Sequence, residues 1–295
     1  MESSPRFSAL LSRSVALLDG AMGTELARRG LVEGGQQNVH DPAAVESIHE
    51  SYRAAGAEAI ITNTLTMNRI FIESHGMDVD PVRVNTEGAA IARRAAGADR
   101  PVLGDISSTG QLLEPYGDWT EARFIEAFRE QARVLAAGGV DAFLIETMID
   151  LREALCALRS CRTECRLPVL VTLSFATVEK GGRTAMGNAA GDAAAALAAE
   201  GAAAVGANCG SLTPLETASV IAAMRERTDL PLIAQPNAGK PRLESGRTLF
   251  DMDPQRFAAG ILECVRAGAR LVGGCCGTRP EHIAAVAEAL HGPTP

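Results

Sequence analysis

Seven cysteines stand in a chain of 295 residues, and three of them follow apolar runs of strand-like composition. Cys209 comes directly after Ala203-Ala-Val-Gly-Ala-Asn208, and the pair Cys275-Cys276 comes after Leu271-Val-Gly-Gly274. If both runs are parallel strands opening on one face, three thiolates can meet around a single cation and leave one coordination position free. That is the donor set of a catalytic zinc site rather than a closed structural one. Soft thiolates favour zinc over magnesium or calcium, which take oxygen ligands. Gly273, Gly274 and Gly277 flank the pair and let the backbone turn sharply enough for two adjacent side chains to reach one ion. Two other readings stay open on spacing alone. A free cysteine often packs as a small hydrophobe, and the vicinal Cys275-Cys276 pair could cycle as a disulfide in a redox protein. The glycine-rich stretch 273–278 could also serve as the phosphate loop of a barrel enzyme. Cys156, Cys161, Cys165 and Cys264 fall on expected outer helices or loops and read as packing or surface thiols.

Other motifs are weaker. Gly20-Ala-Met-Gly23-Thr24 lacks the spacing of a dinucleotide fingerprint or a P-loop. The histidines at 40, 49, 75, 282 and 291 form no metal-spaced pair and read as solvated or capping residues. An odd number of cysteines in a chain this long argues against a disulfide framework and for a reducing, cytoplasmic setting. With 28 Lys+Arg against 36 Asp+Glu the formal charge is −8, so the broad basic footprint of nucleic-acid binders is missing. No apolar run approaches the ~20 residues that cross a bilayer, which excludes a membrane role. The first twenty residues carry no signal-like core.

The elements that must position the cysteines are legible from alternation. Short apolar or β-branched runs at 15–19, 58–63, 101–105, 142–146, 168–174, 203–208, 231–235 and 270–274 are bounded by Gly, Pro or Asp. Between them lie stretches of helical spacing at 43–55, 84–96, 120–137, 151–162, 189–200, 214–227, 254–267 and 280–290. Pro214, Pro254 and Pro280 sit at favoured first-turn positions, and Thr120 opens its helix without a full capping box. Strand then helix, eight times, predicts an α/β fold made of a single (β/α)8 barrel of the TIM type over 1–295, with 1–14 as a flexible N-terminal extension. A doubly wound open sheet is the rival. The irregular segments 30–42, 107–119, 177–188 and 238–253 all follow strands, on the side where barrel function concentrates. The polar residues ending the strands are Asp19, Asn63, Asp105, Glu146, Ser174, Asn208, Gln235 and, just beyond it, Asn237.

Taken together, Leu18-Asp-Gly-Ala-Met-Gly-Thr-Glu25, Ile145-Glu-Thr147, Asn208-Cys-Gly210, Pro236-Asn-Ala-Gly-Lys-Pro241 and Gly273-Gly-Cys-Cys-Gly-Thr278 resemble the homocysteine S-methyltransferase family. The motifs run in the family's order from about Leu17 to His291. The stretch 236–241 is most similar to the homocysteine module of cobalamin-dependent methionine synthase. The resemblance implies a Zn2+-dependent enzyme that binds homocysteine as its zinc thiolate and methylates it to methionine. It implies Cys209, Cys275 and Cys276 as metal ligands, with Asn237 as a fourth in the substrate-free state. Asp19 and Glu146 would take the substrate's amino group, and backbone N–H groups of Gly20, Ala21 and Met22 its carboxylate, with Asn63 and Thr64 completing the substrate site. No side-chain general base is needed at methyl transfer. The methyl donor implied is a separate methyl-corrinoid protein or a small sulfonium compound. Betaine ranks low, because only Tyr116 and Trp119 lie in a loop suited to an aromatic cage. The chain departs from the family in Gly104-Asp-Ile-Ser-Ser-Thr-Gly110, where Ser107-Ser108 replaces a common Gly-Pro.

Overall fold

The computed structural model describes residues 3–244 and 247–292. Eight parallel strands are arranged as expected: β1 (Ala16–Leu17), β2 (Ile60–Ile61), β3 (Val102–Ile106), β4 (Ala142–Met148), β5 (Val169–Leu173), β6 (Ala204–Asn208), β7 (Leu232–Gln235) and β8 (Ala269–Val272). From β2 to β8 each strand pairs with its sequence neighbours and β8 pairs with β1, while β1 and β2 share no regular ladder. Between β1 and β2 carboxylates take the place of most ladder bonds. Glu58 donates its N–H to Leu17 O at 2.7 Å. Leu17 N–H donates to Glu58 Oε2 at 2.9 Å, and Ile61 N–H to Asp19 Oδ2 at 3.0 Å. The sheet is the TIM-type barrel anticipated from the alternation, with helices on its outer face.

Period-two burial divides the strands between two apolar layers. Leu18, Leu103, Leu144, Leu170, Ile233 and Leu271 fill one cluster with small alanines between them. Leu17, Phe143, Ile145, Val171, Val205 and Val272 belong to the larger cluster that also takes in the helices. The inner cluster includes Phe7 and Leu10 from the helix Pro5–Leu11. Part of the segment expected as a flexible extension is therefore an ordered plug. The reason is hydrophobic: Phe7 is fully buried and Leu10 nearly so, and Ser4 caps the helix by accepting Phe7 N–H. Arg6 from the same helix pairs with Asp141 at 2.9 Å. Asp141 also binds Arg93 and accepts Val102 N–H.

Helix starts follow capping chemistry. The helix expected from 84 begins at Pro81, because Asp80 accepts Arg83 N–H at 2.7 Å. Thr213 and Glu216 form a reciprocal capping box, whereas Thr120 makes no side-chain cap bond. The long segments after strands contain some regular structure: a two-stranded hairpin, Arg242–Glu244 with Arg247–Leu249, and a short pairing of Phe175–Thr177 with Arg183–Thr184. No helix of the described residues is long and apolar enough to cross a membrane.

Candidate metal centre and substrate pocket

Cys209 follows β6, and Cys275 and Cys276 lie in the loop after β8. Their three Sγ atoms lie within 4.8 Å of one another, and Cys209 and Cys276 are 3.8 Å apart. A tetrahedron with metal–sulfur bonds near 2.3 Å has an edge of about 3.8 Å, so the sulfurs are spaced to share a zinc-sized ion. All seven cysteines are free. The convergence of a third sulfur from β6 is not required by the redox reading of the vicinal pair. Reaching this geometry uses strained backbone: Cys209 has φ 52° and Thr147 near the end of β4 φ 62°, rare for non-glycine residues. Gly210, at φ 73°, brings the chain so close to Phe175 that a Cβ would lie 2.5 Å from its carbonyl oxygen.

The thiols are already polarised. Hydrogen bonds from Cys275 and Cys276 pull the Cys209 thiol down to about 3. The same contacts push Cys275 up and Cys276 to about 12. Asn237 donates Nδ2–H to Gly210 O at 2.8 Å, while its buried Oδ1 has no partner. An orphaned amide oxygen beside three sulfurs fits the expectation of a fourth, displaceable ligand.

Next to the sulfurs is a cavity of about 330 Å3, lined by Cys275 and Cys276 and by Asp19, Asp105, Glu146 and Gln235. Gly20, Ala21, Met22 and Asn63 also line it. Burial raises the pKa of Asp19, and burial followed by the charges of Glu146 and Asp19 raises that of Asp105. Glu146 is pushed up to about 8 by burial and then by the charge on Cys209. Asp19 Oδ1, Asp105 Oδ1 and Gln235 Oε1 are buried without partners. Buried carboxyl groups in this condition are costly in their charged form unless a proton or a cation joins them.

The other expected substrate residues divide. Ala21 N–H is already donated to Thr278 Oγ1 at 3.0 Å, so of the three backbone groups expected to receive a carboxylate this one is committed elsewhere. Asn63 lines the cavity and is held by Asn38 Oδ1 at 3.1 Å. Thr64 does not line it. Fully buried, its hydroxyl donates to Asp105 O at 2.7 Å, which makes it a support for the wall.

Several residues noted in the sequence only as polar strand ends, or as the Ser-Ser departure, prove to brace the site. Asn208 donates to Glu146 Oε2 at 2.8 Å and accepts Thr147 N–H at 2.8 Å and the Thr172 hydroxyl at 2.7 Å. Ser174 donates to Asn208 O at 3.0 Å. Ser107 donates to Glu146 O at 2.6 Å, and Ser108 and Thr109 donate to Glu153 at 2.7–2.9 Å. The Ser-Ser departure thus ties the loop after β3 to the end of β4 and the helix beyond. His49 is neither solvated nor capping. It is fully buried on Pro42–Ala54, lines the cavity 3.9 Å from Asp19 Oδ2, and is pushed down to about 4 by burial. The signal was present: buried Val45, Ile48, His49 and Tyr52 share one helical face. His282 does cap, accepting Arg279 N–H at 3.2 Å. Tyr116 is exposed and Trp119 packs against Phe124, and neither lines the cavity.

Comparison with known proteins agrees with this geometry. The family model described as homocysteine S-methyltransferase matches residues 16–290. The methionine synthases of Mycobacterium tuberculosis and Mycobacterium leprae are 32% and 33% identical over 95% of this chain. The chain spans about a quarter of the length of these curated relatives, 25% and 24% respectively. The crystal structure of the homocysteine methyltransferase MmuM from Escherichia coli in its metallated form superposes with a TM-score of 0.78. It is 25% identical, with 96% of this chain and 99% of that one covered. With three sulfurs converging beside a carboxylate-lined cavity and the family model matching residues 16–290, the chain belongs to the homocysteine S-methyltransferase family.

Proposed function

We propose that the chain transfers a methyl group to the sulfur of homocysteine, giving methionine, with Zn2+ held by Cys209, Cys275 and Cys276 and, before substrate arrives, by Asn237. The observation that carries the reading is the convergence of the three Sγ atoms beside a cavity lined by Asp19, Asp105 and Glu146. When bound, the metal supplies Lewis acidity that keeps the substrate sulfur deprotonated. A free thiol of pKa ~8.5 is only a few per cent thiolate at pH 7, so this recovers about 2 kcal/mol of nucleophile availability. Three anionic cysteine donors keep the centre electron-rich, which limits the loss of nucleophilicity that accompanies a lowered thiol pKa. The carboxylates of Asp19 and Glu146 hold the ammonium, and the N–H groups of Gly20 and Met22 receive the carboxylate. Anchoring the substrate at both ends makes the sulfur's attack effectively intramolecular.

The methyl group arrives on a separate methyl-corrinoid protein. Among the described residues nine large apolar side chains are exposed, Tyr116 and Leu243 the most at 72% and 77%. Every one falls between the C-terminal end of a barrel strand and the second residue of the next barrel helix. An apolar rim confined to the mouth suits a macromolecular donor that must bring its methyl to the cavity. A second reading, a small sulfonium donor, draws on Met22, Met67, Met77, Phe71 and Glu33, which also line the cavity. The unpaired thiols suit a reducing, cytoplasmic setting.

The test is metal content per chain, followed by methionine formation with methylcobalamin, a methyl-corrinoid protein, S-methylmethionine, S-adenosylmethionine and betaine. Full activity of metal-free protein would overturn the reading. Transfer from the corrinoid protein with none from the sulfonium compounds supports the first donor, and the reverse supports the second.

A further inference from the structure

The cavity contains one buried carboxylate more than the amino-acid reading uses. Asp105 ends β3 and is 4% exposed, and its Oδ1 lacks a partner although it lines the same space as Asp19, Glu146 and Gln235. Its backbone is clamped from β2. Asp105 N–H donates to Thr62 Oγ1 at 2.9 Å, Thr64 Oγ1 donates to Asp105 O at 2.7 Å, and the two threonine hydroxyls meet at 2.6 Å. The side chain is therefore presented to the cavity by a wall that cannot readily turn it away. β3 lies between β2, whose Ile61 N–H binds the Asp19 carboxylate, and β4, which carries Glu146. Asp105 is thus flanked by both of the other acids.

Three buried carboxylates face one another here, and among the described residues no lysine or arginine lines the cavity. The nearby His49 is held neutral by burial. Such a group is stabilised by a ligand that brings positive charge and donors. A primary ammonium has three N–H bonds in a tripod, whereas an acylated amine keeps one and a deaminated analogue none.

We propose that Asp105 is the third arm of an ammonium cradle, accepting one N–H of the substrate's primary ammonium while Asp19 and Glu146 accept the other two. This residue then sets the preference for an α-amino thiol with an unmodified amino group. The proposal rests on the reading that the cavity binds homocysteine.

The experiment compares metal-loaded wild type and Asp105→Asn by calorimetric titration with three thiols. Homocysteine carries both charges, 3-aminopropane-1-thiol lacks the carboxylate, and 4-sulfanylbutanoate lacks the amine. The expected result is a loss of about tenfold or more in affinity for the two amines, with 4-sulfanylbutanoate unchanged or improved, because only a bond to a charged donor is removed. Equal losses for all three thiols, or an unchanged affinity for homocysteine, would overturn the assignment. Failure of metal-loaded wild type to bind homocysteine at all would instead sink the parent reading, and the cradle with it. Asp105→Ser, screened by thermal melting and metal content, carries the same expectation if the asparagine variant does not fold.

Discussion

Replacing Asn208 by alanine tests how far the site depends on one buried amide. Asn208 is 2% exposed and joins three strands. Its Nδ2 reaches Glu146 Oε2 at 2.8 Å and Thr147 Oγ1 at 2.7 Å, and its Oδ1 accepts Thr147 N–H at 2.8 Å and Thr172 Oγ1–H at 2.7 Å. Asn208→Ala leaves two donors without their acceptor. Thr172 is fully buried and has no access to water, while Thr147 borders the site and can be partly resolvated. At roughly 1–3 kcal/mol per orphaned buried group, the cost is about 3 kcal/mol. With a shift of ~2–4 °C per kcal/mol for a domain of this size, the melting temperature drops by about 6–12 °C. Glu146 also loses the donor that orients it, so the KM for homocysteine rises about tenfold while the three sulfurs still hold metal. Calorimetric melting, metal analysis and initial rates read these three quantities separately. A melting shift under about 2 °C together with an unchanged KM would refute the claim that this amide organises the Glu146 side of the site.

Other predictions concern different parts of the molecule. Cys276→Ser abolishes metal retention and methyl transfer while leaving the barrel folded by circular dichroism; loss of the fold would show a structural cluster instead. Phe7→Ala lowers unfolding free energy by about 3–5 kcal/mol in urea titration, the usual cost of emptying a buried aromatic site; no change would mean that the N-terminal helix does not plug the barrel. Asp141 would be raised by burial, but Ser4, Val102 N–H, Arg6 and Arg93 hold it below the usual carboxylate range. A carboxyl depressed in the folded state contributes stability above its unfolded pKa near 3.9 and loses it as pH falls through the lower folded value. Wild-type stability therefore declines more steeply below about pH 4 than that of Asp141→Asn, and parallel acid titration curves would contradict the assignment.

Much of the molecule was legible in its sequence because it is written in local, repeated chemistry. Alternating runs separated by Gly, Pro and Asp specify eight strand–helix units, and a parallel sheet places the ends of all its strands on one side. The positions of Cys209, Cys275 and Cys276 after two such strands therefore assign them to one face. Other features failed for physical reasons. Residues 5–11 are short and weakly patterned, and only the open end of a barrel shows why Phe7 is buried. The burial of His49 departs from the expected solvated or capping role although its helical face is apolar, since histidine is intermediate in burial and residue type alone does not decide its side.

Sequence order alone determined the fold class, the shared face and the donor set, because strand alternation and residue type act over a few neighbours in the chain. Tertiary structure alone decided the 3.8 Å spacing of the sulfurs, the orphaned oxygen of Asn237, the commitment of Ala21 N–H to Thr278 and the gathering of Asp19, Asp105 and Glu146 around one cavity. These depend on pairs of residues as many as 257 positions apart, as for Ala21 and Thr278. Such pairs are brought together only when the ring of strands closes, and no local pattern encodes the distance between them.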